Sequence, residues 1–157
     1  MPKIHLTTFI AAPPERVFDL TRNIGLHKIS VKNTNEEAIA GVTSGPIGLD
    51  ETVTWRARHI GKNRTMQVKI TKMESPKSFT DEQLKGDFVY FRHEHHFKPI
   101  ENGTLMIDML DFKTPYGVIG NIFNSLYLTG YLEKFLVQRN LVVKQYAETE
   151  KWRALLM

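Results

Sequence analysis

Residues 116–147 read YGVIGNIFNSLYLTGYLEKFLVQRNLVVKQYA, a run without a single proline. In its second half Leu128, Leu132, Phe135, Val142 and Tyr146 fall at i, i+4, i+7, i+14 and i+18, joined by Tyr131, Leu136 and Val143. Glu133, Lys134, Gln138, Lys144, Gln145 and Glu148 take the opposite side. That spacing predicts an amphipathic helix with a wide apolar face. At about 100° per residue, Val118, Ile119, Ile122, Phe123, Leu126 and Tyr127 gather on an arc roughly opposite the later one. The apolar face thus changes sides near Thr129 and Gly130. Either the helix breaks there, or a straight helix buries one side late and presents apolar surface on its other side early. Both geometries make the segment a lid or portal over whatever the rest of the chain builds.

Upstream, Ile4 to Ile10 alternates Ile4, Leu6, Thr8 and Ile10 against His5, Thr7 and Phe9, which reads as a strand. Ala12-Pro13-Pro14 stops it. Pro14 sits where a first helical turn accepts proline, with Glu15 behind it at the positive end of the helix dipole. A short helix carrying Val17, Phe18 and Leu20 ends by Asn23, and Ile24 to Ser30 gives a second. Six strand-like segments follow: 36–43, 51–60, 64–73, 78–84, 88–98 and 104–112. Ser44-Gly45-Pro46, Gly61-Lys62-Asn63, Glu74-Ser75-Pro76, Lys85-Gly86-Asp87 and Glu101-Asn102-Gly103 separate them. Short turns and no intervening helix call for an antiparallel meander.

At 157 residues the chain fits one domain, 1–157, able to bury about two-thirds of its unfolded surface. With 41% hydrophobic and 24% charged residues it has an ordinary globular composition, and no apolar run reaches the roughly 18 residues of a membrane span. Met1 to Phe9 alternates rather than forming a signal peptide. The absence of cysteine rules out disulfides, thiolate metal sites and cysteine nucleophiles, so a cytoplasmic location is expected. The net charge of +4 is spread out, with no basic run longer than two residues, so no nucleic-acid partner is expected.

Alternation also assigns faces. Val53, Trp55 and Ala57 alternate with Thr52, Thr54, Arg56 and Arg58, and Met66, Val68 and Ile70 alternate with Thr65, Gln67 and Lys69. One face is apolar and the other charged. A curved sheet with one wet face must cover the other, and one helix laid across seven strands leaves part of it bare. A cavity is predicted there.

This order of elements resembles the helix-grip fold of the START, Bet v 1 and polyketide-cyclase superfamily, called SRPBCC. It is α+β: a curved seven-stranded antiparallel sheet wrapped around a long C-terminal helix, with two short helices after the first strand. The stretch from Ile10 to Phe18, IAAPPERVF, resembles the approach to the first helix in that superfamily. Phe79 to Gln83, Gly86, Phe91 to Phe97, Gly103-Thr104, Asp108 and Pro115 to Gly117 resemble its bacterial ligand-binding and cyclase/dehydrase-like branch. The match runs from Lys3 to Tyr146. The resemblance implies an apolar cavity between sheet and helix that takes a small hydrophobic molecule of lipid, polyketide or quinone type. It implies no shared catalytic residue and no cofactor.

His93 and His95 lie two apart, so in a strand they share the interior face of Phe91 and Phe97. They would bond Asp81 or Asp108 across the sheet, contact a ligand, or transfer protons. A metal site lacks a third ligand in the local sequence, and none is expected. Asp108 must be paired if it is interior, and Arg139, inside the helix's apolar arc, is a partner; Arg139 could instead hold a carboxylate or phosphate of a ligand. Trp55, Met66, Val68, Ile70, Phe91 and Phe97 are the expected wall, with Phe123, Tyr127, Tyr131, Phe135 and Arg139 facing them from the helix. Asn121, Asn124 and Ser125 would place hydrogen-bonding groups near a mouth. Three functions are open: a carrier or sensor; a cyclase or dehydratase using His93, His95 or Asp108; and an interaction module. The last would use Val118, Ile119, Ile122, Phe123 and Leu126 against a second copy or a membrane surface.

Overall fold

Strand-forming residues bounded by turns give the architecture its order. The computed structural model describes residues 3–31, 35–59, 61–115 and 127–157. β1 (Lys3–Ile10) is followed by α1 (Pro14–Thr21) and α2 (Ile24–Ser30). Then come β2 (Glu37–Gly41), β3 (Thr52–His59), β4 (Lys62–Glu74), β5 (Ser78–Lys85), β6 (Tyr90–Ile100) and β7 (Gly103–Lys113). Helix α3 (Thr129–Glu148), a 3₁₀ turn (Glu150–Trp152) and α4 (Arg153–Leu156) complete the chain.

The strands form one antiparallel sheet in the order β1-β7-β6-β5-β4-β3-β2, as the meander reading expects. Each hairpin pairs neighbours in sequence, and β1 closes against β7. Register shifts between Ala38 and Ala40, Gln67 and Val68, and Ile70 and Lys72 mark bulges, which bend a strand and increase its twist. Strand ends differ from the sequence reading where turns are tighter than anticipated. Gly61, at φ +69°, lets Lys62 and Asn63 join the ladder, and Asn102, at φ +65°, lets Ile100 pair with Gly103.

The small helices behave as their sequence dictates. Pro14 opens α1, and Asn23 caps α2 by accepting a 3.1 Å hydrogen bond from the Leu26 amide. Val17, Phe18 and Leu20 enter the core, where the Phe18 ring meets Phe79 and Phe97 edge-on at 5.6 and 5.4 Å. Together α1 and α2 plug one end of the sheet.

Helix α3 is continuous across Thr129 and Gly130, with Leu128 already in helical conformation and a wider π-type turn at Tyr127–Leu128. Helix α3 begins at Thr129, and the first half of the segment, on the other side of the break considered near Thr129 and Gly130, lies outside the described residues. Val118, Ile119, Asn121, Ile122, Phe123, Asn124, Ser125 and Leu126 lie outside the described residues. The buried stripe of α3 is Leu136, Arg139, Asn140, Val143 and Ala147. Leu132, Phe135, Val142 and Tyr146 flank it, half-buried. The apolar arc read from the sequence is therefore rotated relative to the stripe that packs, and two polar residues occupy the stripe's centre. No described helix is long and apolar enough to cross a membrane.

Candidate functional site

β6 presents alternate side chains to the interior, so Phe91, His93, His95 and Phe97 all point one way. Register determines what they meet. Asp81 on β5 lies opposite His93, and Asp108 on β7 lies opposite His95. The hydrogen bonds run along the diagonals: His93 Nε2 to Asp108 Oδ1 and His95 Nε2 to Asp81 Oδ2, each 2.7 Å. The two imidazoles stack at 3.8 Å and 25°, and Phe79 stacks on the far side of His95 at 4.2 Å.

Asp108 is fully buried and sits at the hub. Besides His93 it accepts from Arg139 Nη2 on Oδ1 and from Asn140 Nδ2 on Oδ2, both at 2.7 Å. Asn140 Oδ1 accepts from Arg139 Nε and Nη2 at 3.0 and 2.8 Å, locking the guanidinium in place. The pairing expected between Asp108 and Arg139 is thus present. Burial disfavours an ionised Asp108, but the Arg139 guanidinium, then the His93 hydrogen bond, hold its carboxyl well below the usual carboxylate range. Asp81 follows the same logic: burial raises its pKa, and the His95 hydrogen bond with the positive potential of His95, His93 and Arg139 brings it below its ordinary value. Burial, then the positive potential of His93, pushes His95 down to about 4, against the pull of Asp81.

An ionised carboxylate accepts, so each Nε2 carries a hydrogen, and His95, pushed down to about 4, keeps a lone pair on Nδ1. His95 Nδ1 is buried without a hydrogen-bond partner, 3.5 Å from Asp108 Oδ1.

The third ligand that the local sequence lacks comes from β5: Asp81, His93 and His95 offer donor atoms within 4.8 Å of one another. The two rings are stacked, with centroids 3.8 Å apart and planes at 25°. Both Nε2 atoms are also committed to carboxylates. The geometry is that of a hydrogen-bonded acid–base array.

This array forms part of the wall of a cavity of about 420 Å³ between the sheet and α3. Of the residues anticipated from sequence, Trp55, Met66, Val68, Ile70, Phe91, His93, His95, Tyr131, Phe135 and Arg139 line it. Two others are placed elsewhere. Phe97 is interior but is spent on packing against Phe18 and Phe79, and Tyr127 is 48% exposed at the start of α3. Asp108 lies behind His93 and Arg139 rather than on the wall, so it positions them and does not face the cavity. Phe123 lies outside the described residues.

Several residues that matter here were not singled out by the sequence reading. Phe79 is read only as strand and as part of the family resemblance, and Asn140, between Arg139 and Leu141 on the helix, is not read at all, although it shares a stripe with Leu136 and Val143. His27 from α2 donates or accepts at 2.9 Å with buried Glu36 and packs on Trp55 at 4.5 Å, adding a second polar pair to the wall. Only the fold brings α2 to β3, and nothing local in the sequence signals it.

No protein-family model and no curated protein matches the chain. Solved structures do. The Zhui aromatase/cyclase from Streptomyces sp. R1128 is similar at TM-score 0.74 over 94% of this chain and 93% of its own, with 15% identity. Ginseng major latex-like protein 151 from Panax ginseng gives 0.68 over 94% and 98%, with 15% identity. A protein of Thermus thermophilus gives 0.68 over 99% and 100%, with 22% identity. The fold is therefore the Bet v 1-like helix-grip that the resemblance in sequence implies.

Proposed function

We propose that this protein binds a small, mostly apolar molecule in the cavity between its sheet and helix α3. One observation carries the reading: an interior space of about 420 Å³, walled by Trp55, Met66, Val68, Ile70, Phe91 and Phe135, with a polar array along part of the wall. Ligand sites are hollows of this size with apolar walls and a few converging polar groups. Close packing makes an unfilled hollow costly in lost contacts, so an occupant offsets part of that cost. The test is equilibrium titration with a neutral naphthalene fluorophore against the native protein and a Met66→Trp variant. Saturable binding that weakens at least tenfold in the variant supports the reading; no saturable binding to the native protein refutes it.

A second reading has its own observation. His93 and His95 each set Nε2 on a carboxylate at 2.7 Å, the pairing that orients an imidazole for proton transfer. With the likeness to an aromatase/cyclase, this supports a proton-transferring cyclase or dehydratase. Replacing both histidines by Gln should abolish turnover of a poly-ketone substrate while leaving its binding within a few-fold; unchanged turnover would end this reading.

A further inference from the structure

The hydrogen-bond inventory of the array narrows the chemistry of the occupant, given that the cavity is where it binds. Among the described residues, Asp81 takes one hydrogen bond, on Oδ2, which leaves Oδ1 as an unused acceptor. His93 uses Nε2 only, leaving Nδ1 unused. Arg139 uses Nε and Nη2, leaving the Nη1 hydrogens as donors. All three side chains line the cavity. The wall therefore offers a carboxylate acceptor, a guanidinium donor and the unused His93 Nδ1.

Charge sharpens this. Two carboxylates stand against one guanidinium in a region of low dielectric. A ligand carboxylate or phosphate would add a third negative charge and bring no hydrogen to Asp81. An ammonium group would serve Asp81 but would set a second cation beside Arg139 with no lone pair for it. A hydroxyl donates once and accepts, and it adds no charge. We infer that the polar end of the occupant is a neutral hydroxyl, alcoholic or phenolic, donating its hydrogen to Asp81 and accepting from Arg139, beside His93. On this inference Arg139 is a partner of Asp108 that lends its remaining hydrogens to an uncharged oxygen rather than to a carboxylate or phosphate.

The test uses three probes with one apolar body: naphthol, methylnaphthalene and naphthoate, substituted at the same ring position and titrated calorimetrically at pH 7.5. One net hydrogen bond corresponds to up to about tenfold in affinity, so naphthol is expected to bind about tenfold tighter than methylnaphthalene, and naphthoate more weakly than either. In Asp81→Asn, which removes a negative charge and keeps a polar group, the naphthoate penalty relative to methylnaphthalene should shrink at least threefold. Naphthol within threefold of methylnaphthalene, or naphthoate matching naphthol, would overturn the hydroxyl assignment while the cavity reading stands. A native protein that binds none of the three would overturn both.

Discussion

Asp108 has no solvent contact and spends both oxygens on hydrogen bonds to Arg139, His93 and Asn140. Buried ion pairs are costly to break because the remaining partner is left charged and unpaired. Asp108→Ala should therefore lower stability by about 3–5 kcal/mol in urea unfolding. The double replacement Asp108→Leu with Arg139→Met should cost less than Asp108→Ala alone, and an equal or larger cost would show that the array contributes more than mutual neutralisation. His95 supplies a pH signature. Its pKa is about 4 when folded against 6.5 as the reference value, so the unfolded chain binds more protons between those limits. Stability is then full above about pH 6.5 and falls as the pH drops toward 4, by on the order of 3 kcal/mol. Asp81 and Asp108, both held below their ordinary value of 3.8, extend the loss as the pH falls further. His95→Gln keeps an amide hydrogen for Asp81 and should flatten the decline between pH 6.5 and 4; a decline of native steepness would contradict the burial of a neutral imidazole. These partnerships were half-legible. A two-residue histidine spacing beside aromatics marks an inward face, but the bonds run diagonally to the register, so that Asp81, opposite His93, serves His95, and Asp108, opposite His95, serves His93.

At the scale of elements, the order of strands and short helices was readable from the turn signals between them, but their ends were less so, since the strand read over 36–43 stops at Gly41. Gly41 is the sharpest case, at φ +75°, where an added Cβ would stand 2.2 Å from the Thr52 carbonyl oxygen. Gly41→Ala should cost more than about 1 kcal/mol and loosen the β2–β3 pairing, seen as faster amide exchange at Val42, whose N–H bonds Thr52 O at 2.8 Å. Exchange unchanged at Val42 would contradict that. Helix α3 was legible as a helix but not in rotation. Sequence periodicity weights apolar side chains, whereas the packed stripe centres on Arg139 and Asn140, whose polarity is cancelled by Asp108. A helix that buries a salt-bridged polar pair will mislead any reading based on hydrophobicity alone.

Across the whole molecule, the prediction of a hollow rested on one helix facing seven strands, and a cavity of about 420 Å³ lies between them. Its volume was not legible, because it depends on how far Phe97 is drawn to Phe18 and how α2 carries His27 onto Trp55. Those contacts join residues remote in sequence. The most direct measurement is an amide NMR titration of the native protein with methylnaphthalene. Saturable shifts centred on Trp55, Val68, Ile70, Phe79 and His93 are expected, with the outer-face residues Arg56, Arg58 and Lys69 unmoved. Absence of saturation, or shifts confined to that outer face, would contradict a binding cavity between the sheet and α3.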